Sequence, residues 1–198
     1  MSRSSSNRNL IIRSARHLFY TRGFEHTSLA DLAQDSGVNK GSFYYHFPSK
    51  DDVLRAVIEA RLLDIDAALE RWQQEHATPR LRLVRFVHMI TSERDALVAH
   101  GCPTGSLLSE LGKGDPSLHQ EAVAILERYV TFLTRQLEEL SLPEPRSLAM
   151  HLMARLQGAI LLSHAYHSTD LLDREVALAI TWLDDLILTS NPSHGDIS

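Results

Sequence analysis

The chain has 198 residues, 43% of them hydrophobic and 23% charged, with a formal net charge of −5. That is the make-up of a globular protein with a packed core, and it excludes a disordered or fibrous chain. No apolar run approaches the ~20 residues that span a bilayer, the opening MSRSSSNRN lacks the apolar stretch of a secretory signal, and the single cysteine, Cys102, cannot close an internal disulfide. A soluble cytoplasmic protein with no membrane association is expected.

The charge is unevenly placed. Residues 1–50 hold seven Arg and Lys against three Asp and Glu, a net of +4 that leaves −9 for the remainder. A small basic head on an acidic body suggests that only the head meets a polyanion, although a solvated Arg-rich helix gives the same count.

In chain order, nearly every segment reads as helix. Leu10, Ile11, Ala15, Leu18 and Phe19 form an apolar stripe at helical spacing, closed by Gly23. Thr27 and Ser28 precede LADLAQDSG, which offers a hydroxyl N-cap, an Asp three residues after Ser28, and a closing Gly37. NKGSFYYHF is a third, short helix that Pro48 ends. Ser49 then caps a long helix with Asp51 and Asp52 in its first turn, where the helix dipole favours acids. Thr78-Pro79 starts the next, and HGCPTG breaks it. A short helix through Leu107, Leu108 and Leu111 follows, Asp115-Pro116 opens another, and SLPEP links to two final helices over roughly 145–167 and 170–189. The polar tail NPSHGDIS closes the chain. No alternating strand pattern and no internal repeat occurs, so the fold class is all-α.

Helices Ser28–Ser36 and Asn39–Phe47, joined through Gly37-Val38, have the form of a helix-turn-helix. Glycine permits the sharp turn, and the apolar residue after it plugs the core. The second helix of such a unit lies in the major groove with its N-terminal residues on base edges. Here those are Asn39, Lys40, Gly41 and Ser42. Lys can donate to guanine O6/N7, Asn can pair with adenine, and Gly lets the backbone come close. Tyr44, Tyr45 and His46 have bodies that pack and polar tips for phosphates, while Phe43 and Phe47 read as core.

The run HTSLADLAQDSGVNKGSFYYHFPSKDDVL resembles the N-terminal motif of the TetR/AcrR family of bacterial transcriptional regulators, over about residues 8–55. It departs from the family pattern at Ser36, where Ala is commoner. The resemblance implies phosphate contacts from Thr27 and Ser28, base or phosphate contacts from Asn39, Lys40, Gly41, Ser42 and Tyr45, and a backbone clamp from Tyr44, His46 and Lys50. It further implies an all-α fold of about nine helices, with a three-helix DNA-binding head at residues 1–50 and a ligand-binding and dimerisation body at residues 51–198. The family's dimers form through the last two helices, and the stripes Leu152, Leu156, Ile160 and Val176, Ile180, Leu183, Ile187 could serve that contact or bury within one chain. Family members enclose an effector cavity that Phe86, Met89, Ile90, Cys102, Leu107, Leu108, Leu111, Tyr129 and Phe132 could line. The implied partners are an operator in double-stranded DNA, a small-molecule effector and a second copy of the chain.

HGCPTGSLLSEL, from His100 to Leu111, resembles a stretch in a subgroup that regulates detoxification or redox enzymes. A thiol near a helix N-terminus and a histidine is activated, so a redox- or electrophile-sensing switch at Cys102 is the alternative trigger. His164 and His167 lie three apart with Asp170 and Asp173 beyond, but histidines that cap helix ends are commoner than ligands, and no metal or cofactor is assigned. GKGD lacks the spacing and the Ser/Thr of a phosphate loop. No nucleophile–base order points to an enzyme.

Overall fold

The computed structural model describes residues 3–114 and 116–190, and every regular element among them is helical. The order is α1 (Arg3–Arg22), α2 (Leu29–Ser36), α3 (Lys40–His46), α4 (Lys50–Glu75), α5 (Pro79–Ser92), α6 (Arg94–His100), α7 (Pro103–Leu111), α8 (Pro116–Glu139), α9 (Pro145–Ala165) and α10 (Thr169–Ser190). Asp115, expected to open α8, and the polar tail lie outside the described residues.

The helix expected from Pro79 onward is two helices, because the backbone leaves helical geometry at Glu93 (φ −113°, ψ 12°). Just before it, the Thr91 and Ser92 hydroxyls donate to the carbonyls of His88 and Met89 at 3.0 and 2.6 Å. Such local bonds compete with the helical ladder for its acceptors.

The chain divides into two compact units. The first comprises the residues up to Asp66 together with Pro103–Leu126. Its core is Ile11, Ala15, Leu32, Phe43 and Val53, all sealed from solvent, with Val38 and Phe47 beside them. Burying a side chain the size of Phe43 stabilises the head by about 1.5–3 kcal/mol. At the α1–α2 turn the Glu110 carboxylate of α7 accepts the Glu25 N–H at 2.9 Å. Gly23 there has φ +88°, and a Cβ on it would stand 2.9 Å from Glu110 Oε1. The positive φ is what favours glycine there, since the Glu110 carboxylate is the movable end of a side chain.

The second unit comprises Ala67–Cys102 and the chain from Glu127 onward. Edge-to-face pairs Trp72–Phe132 (6.3 Å) and Phe86–Tyr129 (5.5 Å) fill its interior. Arg82 is buried in this unit, donating to the His76 carbonyl (2.9 Å), Gln136 Oε1 (3.0 Å) and Glu139 (2.9 Å). Helices α9 and α10 pack on one another.

That packing buries most of the stripes expected to receive a second chain. Leu152, Leu156, Ile160, Val176 and Leu183 are all buried within the single chain, and Ile180 and Ile187 are half-buried. The first five have no surface left to offer. The reason is that α9 is apolar on two sides, and its wider stripe is consumed internally. The narrower stripe, Met150, Ala154 and Leu161 with Gly158 between, remains outside, together with Leu178 and Leu188 of α10. A Cβ built on Gly158 meets no atom within 4 Å.

Candidate nucleic-acid interface

The head is built by local chemistry. Ser28 caps α2: its hydroxyl accepts the Asp31 N–H at 3.1 Å, and the Asp31 carboxylate accepts the Ser28 N–H at 2.8 Å. The Ser28 hydroxyl proton also goes to that carboxylate. The side-chain bond from Ser28, then its backbone N–H, hold the Asp31 carboxyl below its ordinary value of 3.8. Gly37 closes α2 in the left-handed region at φ 65°, so the chain turns sharply and drops Val38 into the core.

Asn39 caps α3, its Oδ1 accepting the Ser42 N–H at 2.9 Å. Phe43 and Phe47 face inward, whereas Lys40, Gly41, Tyr44 and Tyr45 are exposed, Tyr45 to 80%. The Ser42 hydroxyl, half-buried, accepts the Asn7 side-chain N–H from α1 at 3.0 Å. His46 is half-buried with its ring 5.2 Å from that of Tyr45. Lys50 donates to the Phe24 carbonyl at 3.0 Å, and its ammonium lies 4.2 Å from the centre of the Phe24 ring. Two of its three N–H donors stay open. Ser14, buried on α1, donates to Asp35 of α2 at 2.6 Å and ties the two helices.

Three of the residues expected at the DNA are engaged within the head. Thr27 is 1% exposed and donates its hydroxyl to the Gly23 carbonyl at 2.7 Å, so it is committed to the turn. Ser28 is exposed, but its proton is committed to Asp31. Neither hydroxyl presents a proton to a phosphate. Asn39 gives one lone pair of its side-chain oxygen to the α3 cap and keeps the second lone pair and its amino group.

Asn7 is the functional candidate that sequence alone did not reveal. It sits in a polar lead with no periodic signal, 35 residues from its partner.

The residues expected at an effector site divide between the units. Leu107, Leu108 and Leu111 belong to the first, whereas Phe86, Met89, Ile90, Cys102, Tyr129 and Phe132 belong to the second. Within the second, Phe86 and Tyr129 touch, and the Trp72 indole N–H beside Phe132 is buried with no hydrogen-bond partner. Cys102 is a half-buried thiol outside any disulfide, just ahead of α7, and the thiol-switch alternative is not specifically supported.

A short, capped, donor-bearing helix held outward on a basic three-helix head, with a larger helical remainder, defines a helix-turn-helix transcription regulator. The known proteins agree. The family model described as bacterial regulatory proteins of the tetR family matches residues 11–57, and that of the LmrA/YxaF-like transcriptional regulator C-terminal domain matches residues 79–177. An HTH-type transcriptional regulator of the lacX 3' region of Lactococcus lactis subsp. lactis is 25% identical over 86% of this chain and 90% of its own. YxaF of Bacillus subtilis (strain 168) is 23% identical over 82% of this chain and 87% of its own. A TetR-family regulator of known structure from Agrobacterium tumefaciens has the same fold, with TM-score 0.78 and 22% identity over 92% of this chain and 98% of that one. The chain belongs to the TetR family of bacterial transcriptional regulators, and it is a DNA-binding regulator. No described helix is long and apolar enough to cross a membrane.

Proposed function

We propose that the protein is a homodimeric repressor that binds a two-fold operator and is released by a small molecule held in the helical body. The observation that carries it is the outward apolar stripe of α9 and α10. It supports a second copy, and a two-fold pair sets two α3 helices on half-sites about one DNA turn apart. Lys40, Gly41, Ser42 and Tyr45 read or approach base edges. Tyr44, His46 and Lys50 hold the phosphate backbone. Because one Lys50 donor is anchored on Phe24, its charge is already positioned and less side-chain freedom is lost on binding. For Thr27 and Ser28 the supported role is to build the turn and cap that present α3.

The buried, unpartnered Trp72 N–H supports an effector in the second unit. A ligand acceptor at that nitrogen would satisfy a donor that otherwise carries a desolvation cost. An effector that favours heads spread wrongly for two successive major grooves must weaken DNA binding by the same factor that DNA weakens effector binding. The test is fluorescence-anisotropy titration of DNA from immediately upstream of the gene, with small molecules then screened for release. Sequence-dependent binding reversed by a compound that also raises the melting temperature supports the proposal. A protein that binds selected DNA as a monomer, or that no compound releases, contradicts it.

A further inference from the structure

Ser42 is held from two sides. Its N–H goes to Asn39 Oδ1 at 2.9 Å, and its hydroxyl oxygen receives the Asn7 side-chain N–H at 3.0 Å. A hydroxyl has one proton and two lone pairs. With Asn7 donating into a lone pair, the proton points away from Asn7 and is left for an acceptor outside the protein. Asn39 keeps its amino group and the second lone pair of its oxygen, and exposed Lys40 carries only donors. Donors at Lys40 and Ser42 therefore stand together at the start of α3.

We infer that Asn7 is a specificity-determining positioning residue: by fixing the Ser42 hydroxyl as a donor, it completes a donor face on α3 that selects guanine in each operator half-site. This rests on the proposal that α3 lies in the major groove. There guanine offers two acceptors, N7 and O6, whereas adenine and cytosine each present an amino donor that such a face repels. Asn7 touches no base. It acts through Ser42.

The experiment is selection of preferred sites from random DNA by the full-length protein and by Asn7→Ala. Anisotropy follows on the selected operator, with 7-deazaguanine replacing each half-site guanine in turn. The wild-type consensus should carry guanine in each half-site, and removing its N7 should weaken binding about tenfold. Asn7→Ala should relax that position toward adenine and shrink the 7-deaza penalty. Its salt slope should stay unchanged, because no phosphate contact is lost. Asn7→Gln, which keeps the donor, should recover the guanine preference.

If Asn7→Ala lowers affinity for all sequences alike and keeps the base preference, Asn7 is only a tack between α1 and α3 and the inference falls. A half-site consensus without guanine also overturns it. Ser42→Ala removes the proton and the acceptor of the Asn7 bond together, so it tests whether the Ser42 hydroxyl carries the preference should Asn7→Ala fail to fold. Loss of the guanine preference supports the assignment, and its retention refutes it. A selection that yields no consensus refutes the operator-binding proposal itself, and is thereby distinguished from a consensus that merely lacks guanine.

Discussion

Replacing Leu161 by Ala tests where two chains meet. Leu161 is 65% exposed in the single chain. Full burial of a leucine is worth about 1.5–3 kcal/mol, so a covering partner would gain roughly two-thirds of that, or ~1–2 kcal/mol. A two-fold interface contains the residue twice, which makes the loss on truncation about 2–4 kcal/mol. By sedimentation equilibrium the dimer dissociation constant should rise by roughly 30- to 1,000-fold, with the urea-unfolding stability of the protomer little changed. The companion variant is Leu156→Ala. Leu156 is 2% exposed on the inner side of the same helix, so its truncation should cost about 2–5 kcal/mol of folding stability and move the dissociation constant of folded protein far less. If Leu161→Ala leaves association unchanged, or Leu156→Ala weakens it equally without loss of stability, the outward stripe is not the interface.

Three further outcomes are expected. Arg82→Met should destabilise the fold by about 2–4 kcal/mol in urea, because it leaves the buried Gln136 oxygen and the His76 carbonyl without their donor; a loss within experimental error would contradict the network. The Asp31 carboxyl is depressed by its Ser28 bonds, so its contribution to stability is present above 3.8 and is lost as pH falls through the lower native value. In Ser28→Ala the Asp31 titration followed by NMR should return toward 3.8, and an unmoved titration would sink that cause. Lys50→Met should weaken operator and mutated operator equally and reduce the salt slope of binding by about 0.9; an unchanged slope would mean that Lys50 serves only the Phe24 turn.

What the sequence disclosed was what is decided locally. The Ser28 cap, the left-handed Gly37, the plugging Val38 and the inward Phe43 and Phe47 all follow from spacing within a few residues, and each is found in place. Thr27 and Ser28 show the limit of that reading. A hydroxyl beside a helix start suits a phosphate or a cap equally, and only the turn geometry sends the Thr27 proton to Gly23. The stripe on α9 was ambiguous for a different reason. Both its sides are apolar, and which one is spent inside the chain depends on how α10 packs, a tertiary fact with no local sign. The break at Glu93 lay hidden in two hydroxyls that fit a continuing helix as well as an ending one. The Asn7–Ser42 and Glu110–Glu25 bonds join residues 35 and 85 positions apart, and no periodicity encodes such pairs.

The central claim, a dimer that reads DNA through α3, is tested most directly by anisotropy titration of the full-length protein against its selected operator at two salt concentrations, with Lys40→Ala beside it. The account expects two protomers per site and an affinity of about 10⁻⁸ M or tighter at physiological salt, falling steeply as salt rises. Lys40→Ala should lose specificity at one base position while keeping non-specific binding. Binding of one protomer, or equal affinity for operator and scrambled DNA with Lys40→Ala indistinguishable from the native chain, would contradict it.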